Sequence, residues 1–459
     1  MRDPGLDLHL GGIRRSQGGV GRSLEEALRE AVRSGRLAPG ARLPGSRRLA
    51  ADLGLARGTV VQVYTQLIAE GWLVGSGGSS TRVAPGADAA AVPPATPPPS
   101  TLDLRPGRPD ISAFPRTAWT ASIRRALSTA GRMDFDYGAP GGLPGLRAAL
   151  ADYVARTRGV RADPDAVVVT CGFSHGLAVL ARVLRELGIG TIATEDPSLP
   201  WHRQWLTAAG LTTAPLTVDA HGADPADLPG EARAALLTPN HQFPKGCVLT
   251  PARRQSFVDW ANRVDGYLIE DDYDGEFRYD QRPVGALQAL APDRVVFAGS
   301  TSKTMAPGVR IGWLVLPPAL RQPVREQLFA LGAAVPSVDQ LALADLIGQG
   351  DYDRHIRRAR LAYRRRRTEL VTAIEAATQS TVDGIPAGLQ TLLPLESAER
   401  EAELVAAARA NGLLLQGMHA FGYWHDQPGT PPAALVLGFA TPAPHTWRRT
   451  LQTLLHTLR

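Results

Sequence analysis

The sequence predicts an α/β protein in two parts. A small helical head ending in a β-ribbon precedes a large body, built on a mainly parallel sheet with a smaller C-terminal α+β lobe. Three observations carry this expectation. Residues 84–101, APGADAAAVPPATPPPST, hold six prolines and a single charge, the composition of an extended, semi-stiff spacer. The 83 residues before it carry helical apolar periodicity broken at glycines. After it, short β-branched runs alternate with helical patterns, which argues for a sheet covered on both faces. At roughly 150 residues per domain, 459 residues are too many for one core. The expected division is a head over 1–83, a Pro/Ala-rich linker over 84–102 and a body over 103–459.

In the head, Leu24, Ala27, Leu28, Ala31 and Val32 share one helical face, and the helix should stop at Gly35. A second helix is expected over 46–53, with Leu49, Ala50 and Leu53 inward and Gly54 as its breaker. A third begins near Ala56, with Val60, Val63, Tyr64, Leu67 and Ile68 as its apolar stripe. The segment from Gly71-Trp72-Leu73-Val74 through the glycine- and serine-rich stretch to Arg82-Val83 suits a β-ribbon with a flexible tip. In the body, strands are expected at Val167-Val168-Val169, Thr191-Ile192-Ala193, Ala235-Leu236-Leu237, Tyr267-Leu268-Ile269, Val295-Val296-Phe297 and 311–316. Helices are expected between several of them, as at 176–187 and 252–263. The tail from Arg354 has fewer strand signals and fits the smaller lobe.

Composition narrows the function classes. Two cysteines, Cys171 and Cys247, cannot build a disulfide framework, and no spacing suits a zinc site or a cluster. Met1-Arg2-Asp3-Pro4 opens no apolar leader, and no run of about 18 uncharged apolar residues follows. A soluble, cytoplasmic protein that does not engage membranes is expected. The head carries 12 arginines against 7 acids, a net +5 of the chain's +6. A basic head on a near-neutral body suits a polyanion partner.

Two short helices joined through Gly54, the second followed by a glycine-rich ribbon, outline a winged helix-turn-helix. That motif sets the start of its second helix in the DNA major groove. The groups free to reach double-stranded DNA are then Arg57, Gly58 and Thr59, with Gln62 one turn later. Arg47, at the start of the preceding helix, can pair with phosphate or guanine, and the wing from Gly77 to Arg82 can approach the backbone. Residues 20–83 resemble the GntR family of bacterial regulators. The match is carried by Gly35-Arg36-Leu37-Ala38-Pro39-Gly40, Leu43-Pro44, Arg47-Arg48-Leu49-Ala50, Asp52-Leu53-Gly54-Leu55, Arg57-Gly58-Thr59-Val60, Tyr64, Leu67 and Glu70-Gly71-Trp72-Leu73. Ala56 stands where that family usually has Ser, which removes a helix cap.

The chain has only two lysines, Lys245 and Lys303, so any imine-forming side-chain amine is one of them. Lys303 lies between two predicted strands in Gly299-Ser300-Thr301-Ser302-Lys303, followed by Arg310. A lysine there can form a Schiff base with a carbonyl cofactor while Ser300 and Ser302 donate to a phosphate. The planar guanidinium of Arg310 binds phosphate through two parallel hydrogen bonds. Glu270-Asp271-Asp272-Tyr273-Asp274 ends a buried strand, where groups face the ligand crevice of such sheets. A carboxylate there holds a pyridine nitrogen protonated, and a nearby tyrosine can meet the ring oxygen. The alternative for that acidic run is a magnesium site or a solvated cluster. Thr170-Cys171-Gly172-Phe173-Ser174 lies between a valine run and a helix, where main-chain N–H groups can hold phosphate.

These three pieces, in this order, resemble fold-type-I aminotransferases over about residues 103–459. Further strings agree, Asp136-Tyr137-Gly138, Gly141-Gly142-Leu143-Pro144-Gly145-Leu146-Arg147 and Thr238-Pro239-Asn240-His241-Gln242-Phe243-Pro244-Lys245-Gly246. A GntR-like head joined to such a body resembles the MocR family, which includes GabR-type and PdxR-type regulators. The resemblance implies pyridoxal 5'-phosphate on Lys303 as a Schiff base, with Asp271 facing the pyridine nitrogen and Tyr273 the ring oxygen. It implies phosphate binding by Ser300, Ser302, Arg310, Gly172, Phe173 and Ser174, no metal, and a homodimer. It implies a transcriptional regulator whose body senses the cofactor itself or a small amine or amino acid.

The departures bear on the ligand. Phe243 stands where aminotransferases carry an Asn for the ring oxygen, which leaves Tyr273 with that task, and His241 either assists or packs. Leu199 replaces a usual Tyr, with Trp201 as an alternative aromatic face. Val436 stands where the substrate-carboxylate arginine belongs, and a displaced arginine such as Arg203 can substitute. The missing clamp tilts the expectation towards the cofactor as signal. The rival from another class is a working aminotransferase with a vestigial head. Arg364-Arg365-Arg366-Arg367 reads as a solvated helix face or an addition to a DNA-facing surface. His419 and His425 are expected to be structural.

Overall fold

The apolar periodicity of the head closes into three helices, α1 (Val20–Arg33), α2 (Ser46–Leu53) and α3 (Arg57–Ala69), and a ribbon of β1 (Leu73–Ser76) and β2 (Ser80–Val83). The computed structural model describes residues 19–76, 80–85, 102–138, 140–280, 284–332, 334–378, 380–425 and 431–459. Most of the expected linker, and the wing tip at 77–79, lie outside the described residues. The chain divides into two compact units, residues 1–99 and 100–459.

In the head, Leu24, Leu28, Leu49, Val60, Val63, Leu67, Leu73 and Val83 form one core. Gly54, at φ +64, takes the left-handed turn that ends α2 and separates it from α3. The ribbon is antiparallel, with Leu73 opposite Val83. It is tied to the preceding loop by Leu43 N–H on the Thr81 carbonyl and Val83 N–H on the Ala41 carbonyl. Arg29 fixes α1 to the end of α3 through Glu70, at 2.7 Å.

The body opens with β3 (Leu102–Asp103), α4 (Arg116–Thr129) and α5 (Pro144–Arg158). An eight-stranded sheet follows. Its strands are β4 (Val167–Thr170), β5 (Thr191–Asp196), β6 (Thr212–Asp219), β7 (Gly222–Ala223), β8 (Ala232–Leu237), β9 (Tyr267–Asp271), β10 (Val295–Ser300) and β11 (Gly312–Val315). The spatial order is β4-β11-β10-β9-β8-β5-β6-β7. Pairing is parallel from β10 across to β6, while β11 runs antiparallel to both its neighbours, so β4 points the same way as β10. All six expected strands are present. β6 was not anticipated, because Pro215 and its mixed burial give neither a continuous apolar run nor clean alternation.

Helices cover both faces. Val168, Ile192, Leu236, Ile269, Val296 and Leu314 pack against α6 (Phe173–Glu186), α7 (Pro200–Ala208) and α9 (Pro318–Leu331). On the other face Val167, Phe297 and Val315 meet α5 and α10 (Ser337–Gly348), and Ala235, Leu268 and Val295 meet α8 (Pro251–Arg263). The smaller lobe comprises α11 (Asp351–Thr378), α12 (Ala398–Ala410), α13 (Met418–Phe421) and α14 (Trp447–Leu458) with β12 (Gln390–Leu395), β13 (Leu413–Leu414) and β14 (Ala433–Gly438). β12 pairs antiparallel with β14, and β13 takes β3 as a parallel neighbour. The start of the body is therefore built into its last lobe, and this carries residues 105–108 to the site. No helix among the described residues is long and apolar enough to cross a membrane.

Candidate functional site

The carboxyl ends of β4, β9 and β10 converge on a cavity of about 460 Å³. Lys303 stands in it, three residues past β10, and its Nζ donates to the Gly107 carbonyl at 2.7 Å. Burial lowers its pKa, opposed by Asp271 and Asp274, so the neutral, nucleophilic amine is more accessible than on a surface lysine. Lys245 does not line the cavity; its Nζ donates to the Val218 carbonyl at 2.7 Å.

Asp271, the last residue of β9, is buried and lines the same cavity. Its carboxylate has no hydrogen-bond partner among the described residues, and burial holds its pKa well above the usual range. A buried carboxylate in that state is completed by a cationic N–H, the donor that a protonated pyridine offers. The other acids of the run turn elsewhere. Asp272 makes a bidentate pair with Arg158, at 2.7 and 2.9 Å, Asp274 pairs with His241 at 2.7 Å, and Glu270 accepts the N–H groups of Leu287 and Gln288. The run therefore does not converge on one ion.

The Tyr273 hydroxyl lies 3.0 Å from His241 Nδ1 and accepts from Gln390 Nε2 at 2.8 Å. Phe243 stands edge-on to the Tyr273 ring at 5.9 Å. His241 thus supports the tyrosine rather than merely filling space. At the other end, Gly172 (φ +89) caps α6, and a Cβ there would meet the Arg310 guanidinium at 3.5 Å. Gly312 crosses the same turn so closely that its Cβ would lie 2.8 Å from the Gly172 backbone. Arg310, in the left-handed region at φ 55, has no hydrogen-bond partner among the described residues. Phe173, Ser174, Ser300 and Ser302 line the cavity beside it, and Ser300 Oγ accepts the Ser302 N–H at 3.1 Å. A free guanidinium, a helix N-terminus and two hydroxyls form a cradle suited to a phosphate dianion.

One expectation is corrected. Arg203 is not a spare carboxylate clamp, because it donates to the carbonyls of Ser198, Gly422, Tyr423 and Trp424 and so staples α7 to the loop after α13. The Val436 position is closed as well, since that side chain is fully buried with Phe243, Met418 and Tyr423 in an apolar cluster. Arg105 and Arg108, which sequence reasoning did not single out, line the cavity instead. Their signal lies in the β3–β13 pairing, a long-range contact that no local pattern reveals. His419 and His425 bond the Pro431 carbonyl and the Thr194 hydroxyl.

Glu195 also lines the cavity, fully enclosed, accepting from the Thr238 hydroxyl and, at 3.1 Å, from the Thr238 N–H. Burial pushes its pKa up to about 7. The folded carboxyl then holds a proton that the unfolded one releases near 4.5, so its favourable contribution is full at acid pH and lost as pH rises through about 7. Glu195→Gln removes this dependence. Relative to the variant, the cofactor-free wild type should lose on the order of 3 kcal/mol between about pH 5 and pH 8, as read by chemical denaturation. An unchanged difference between the two proteins would refute it.

In the head, Arg47 on the first turn of α2, Arg57 and Gly58 on the first turn of α3 and Gln62 on its second are exposed. Neither arginine has a partner among the described residues. Thr59 is half-buried, its methyl 3.5 Å from where a Cβ on Gly21 of α1 would sit. Ala56 caps α3 without a side-chain bond. Arg82 of the wing donates to the Gly40 carbonyl at 3.0 Å.

Comparison with known proteins matches residues 108–430 to aminotransferase class I and II, and residues 21–83 to bacterial regulatory proteins of the gntR family. The chain is 33% identical over 428 residues to the HTH-type pyridoxine biosynthesis transcriptional regulator PdxR of Corynebacterium glutamicum, covering 91% of each. It is 32% identical over 460 residues to the probable rhizopine catabolism regulatory protein MocR of Rhizobium meliloti, covering 94% of this chain and 92% of that protein. Among solved structures, an archaeal alanine:glyoxylate aminotransferase superposes with a TM-score of 0.71 at 22% identity, over 78% of this chain and 91% of the other. That likeness concerns the fold. A winged helix-turn-helix on an aminotransferase-type body defines a DNA-binding transcriptional regulator rather than a free-standing transaminase. The chain belongs to the MocR-type regulators, the GntR-headed family that contains both relatives.

Proposed function

We propose that the body, residues 103–459, binds pyridoxal 5'-phosphate and that the cofactor itself is the signal read by the DNA-binding head, residues 1–83, across the 84–102 linker, in the cytoplasm. The observation that carries this reading is one cavity lined by Lys303, Tyr273 and the serines together with two groups, Asp271 and Arg310, that have no hydrogen-bond partner among the described residues. Asp271 would hold the ring nitrogen, Tyr273 the ring oxygen, and Ser300, Ser302, Arg310 and the N–H groups of Gly172, Phe173 and Ser174 the phosphate. Lys303 would form the Schiff base. When bound, the cofactor supplies an aldehyde that condenses with amines and an electron-accepting ring. Of the chain's own groups, Lys303 offers an amine whose pKa burial lowers, and Asp271 would keep a proton at the ring nitrogen. The His241–Gln390 pair holds the Tyr273 hydroxyl in place. Val436 is buried and Arg203 is saturated, so neither supplies the clamp that an amino acid needs; Arg105 is bound by Asp103 at 2.7 Å and Arg108 lies 3.8 Å from the same carboxylate, which favours the cofactor over an amine as effector. In the head, Arg47, Arg57, Gly58, Thr59 and Gln62 would meet the operator.

The test compares affinity for the protein's own upstream DNA with and without cofactor at one fixed salt concentration. A shift of tenfold or more supports the reading. Tight binding that ignores the cofactor transfers the signal to an amine, and absence of specific binding overturns the regulator.

A homodimer of bodies belongs to the same proposal. Tyr137 and Phe329 line one surface pocket and are 103% and 77% exposed, with Met133 (70%) and Phe135 (56%) on the same segment as Tyr137. Large apolar groups gathered in this way mark an interface. Phe329→Asp places a charge in it and should convert the dimer to monomer in sedimentation; an unchanged sedimentation coefficient would place the interface elsewhere.

A further inference from the structure

We propose that the outer face of α11 is a second surface for the DNA phosphate backbone, on the body and separate from the head's recognition groups. α11 is amphipathic with a cationic outside. Its inner face buries Tyr352, Ile356, Ala359, Tyr363, Leu370 and Ile374. On the outside, Arg354, Arg357, Arg358, Arg364 and Arg365 are exposed at three-, four- and seven-residue spacings, so they share one face. At 1.5 Å per residue that row is about 16 Å long. A duplex carries about ten phosphates over that length.

Exposed guanidiniums of the body meet a carboxylate in Arg125–Asp345 and Arg156–Asp353, while Arg124, Arg132 and Arg263 stand singly without a partner among the described residues. What sets α11 apart is the grouping of its arginines on one face. On α11, Arg354 pairs with Asp351 and Arg365 with Glu369, while Arg357, Arg358 and Arg364 have no partner among the described residues. Arg354 stands three and four residues from Arg357 and Arg358, an arrangement of like charges that disfavours the helix and in which Asp351 offsets only one of the three. α14 packs beside α11, where Trp447 bonds Glu369 and lies under the buried Arg366, and exposed Arg448 and Arg449 follow Trp447.

The chemistry selects a polyphosphate rather than a lipid surface. Leu361 is the one large apolar side chain exposed on this helix among the described residues, so α11 lacks the apolar stripe that a membrane helix needs. Duplex DNA is the polyanion that the head already brings to the protein.

The test uses the full-length, cofactor-loaded protein and a long duplex of its own upstream region. For Arg357→Gln/Arg358→Gln/Arg364→Gln, affinity at moderate salt should fall tenfold or more. The slope of log affinity against log salt should flatten by about 2–3, at about 0.9 for each phosphate no longer neutralised. The triple lysine variant at the same positions should keep most of the slope, and the absorption band of the lysine-bound cofactor reports folding in both. If the triple glutamine variant fails to fold, Arg364→Gln alone should still flatten the slope by about 0.9. Unchanged slope and affinity in a folded variant would overturn the proposal, as would a change in sedimentation with no change in slope, which would make the face a contact between copies of this chain.

Discussion

Lys303→Ala should abolish both the absorption band of the lysine-bound cofactor and the dependence of DNA affinity on cofactor. The expectation follows from how few amines the chain has. Lys245 is the only other lysine, and it is tied to the Val218 carbonyl outside the cavity. No second side-chain amine can take over the covalent link. The remaining contacts with the ring and phosphate are noncovalent, and the deletion leaves the Gly107 carbonyl without its donor. A coupling between effector and DNA is typically about 1–3 kcal/mol, roughly five- to 150-fold in affinity. In the variant that factor should collapse to one, with the head's basal affinity intact. Titrating upstream DNA at fixed salt, with and without cofactor, checks it; a surviving shift would mean that Lys303 is not the link between cofactor and head.

Much of this was legible in the sequence, for physical reasons that differ between elements. The head's helices were readable because apolar residues recur with the helical period and Gly54 can take a left-handed turn that other residues resist. The central strands were readable because parallel strands buried on both faces are continuous β-branched runs. β6 escaped, since a strand near the sheet edge with an internal proline has neither signature. At the site, Lys303, Asp271 and Arg310 stood out because few residue types do their chemistry. What surrounds them did not. That Asp272 turns away to Arg158, that Arg203 spends its donors on four carbonyls and that Arg108 comes to the cavity are consequences of long-range packing. A sequence offers a guanidinium at each of those positions without saying whether its donors are free.

Freedom of donors is also what the last prediction tests. Arg47→Ala/Arg57→Ala should lower specific DNA affinity by about 1–3 kcal/mol per arginine, the value of a good contact to a base edge. Thermal stability should change little, because both side chains are exposed and without a partner among the described residues, and surface changes usually fall within about 0.5 kcal/mol. The cofactor band should be untouched, since head and body have separate cores. Gly58 sharpens the distinction. It is the second residue of α3, and a Cβ built there meets no atom within 4 Å. Gly58→Ala should therefore leave the head as stable as before or raise its stability by up to about 1 kcal/mol, the helix preference of Ala over Gly. If the start of α3 enters the groove, the same methyl group must weaken DNA binding. A variant that melts no lower and binds less tightly separates recognition from folding; one that binds as well as wild type would move the recognition surface away from the start of α3.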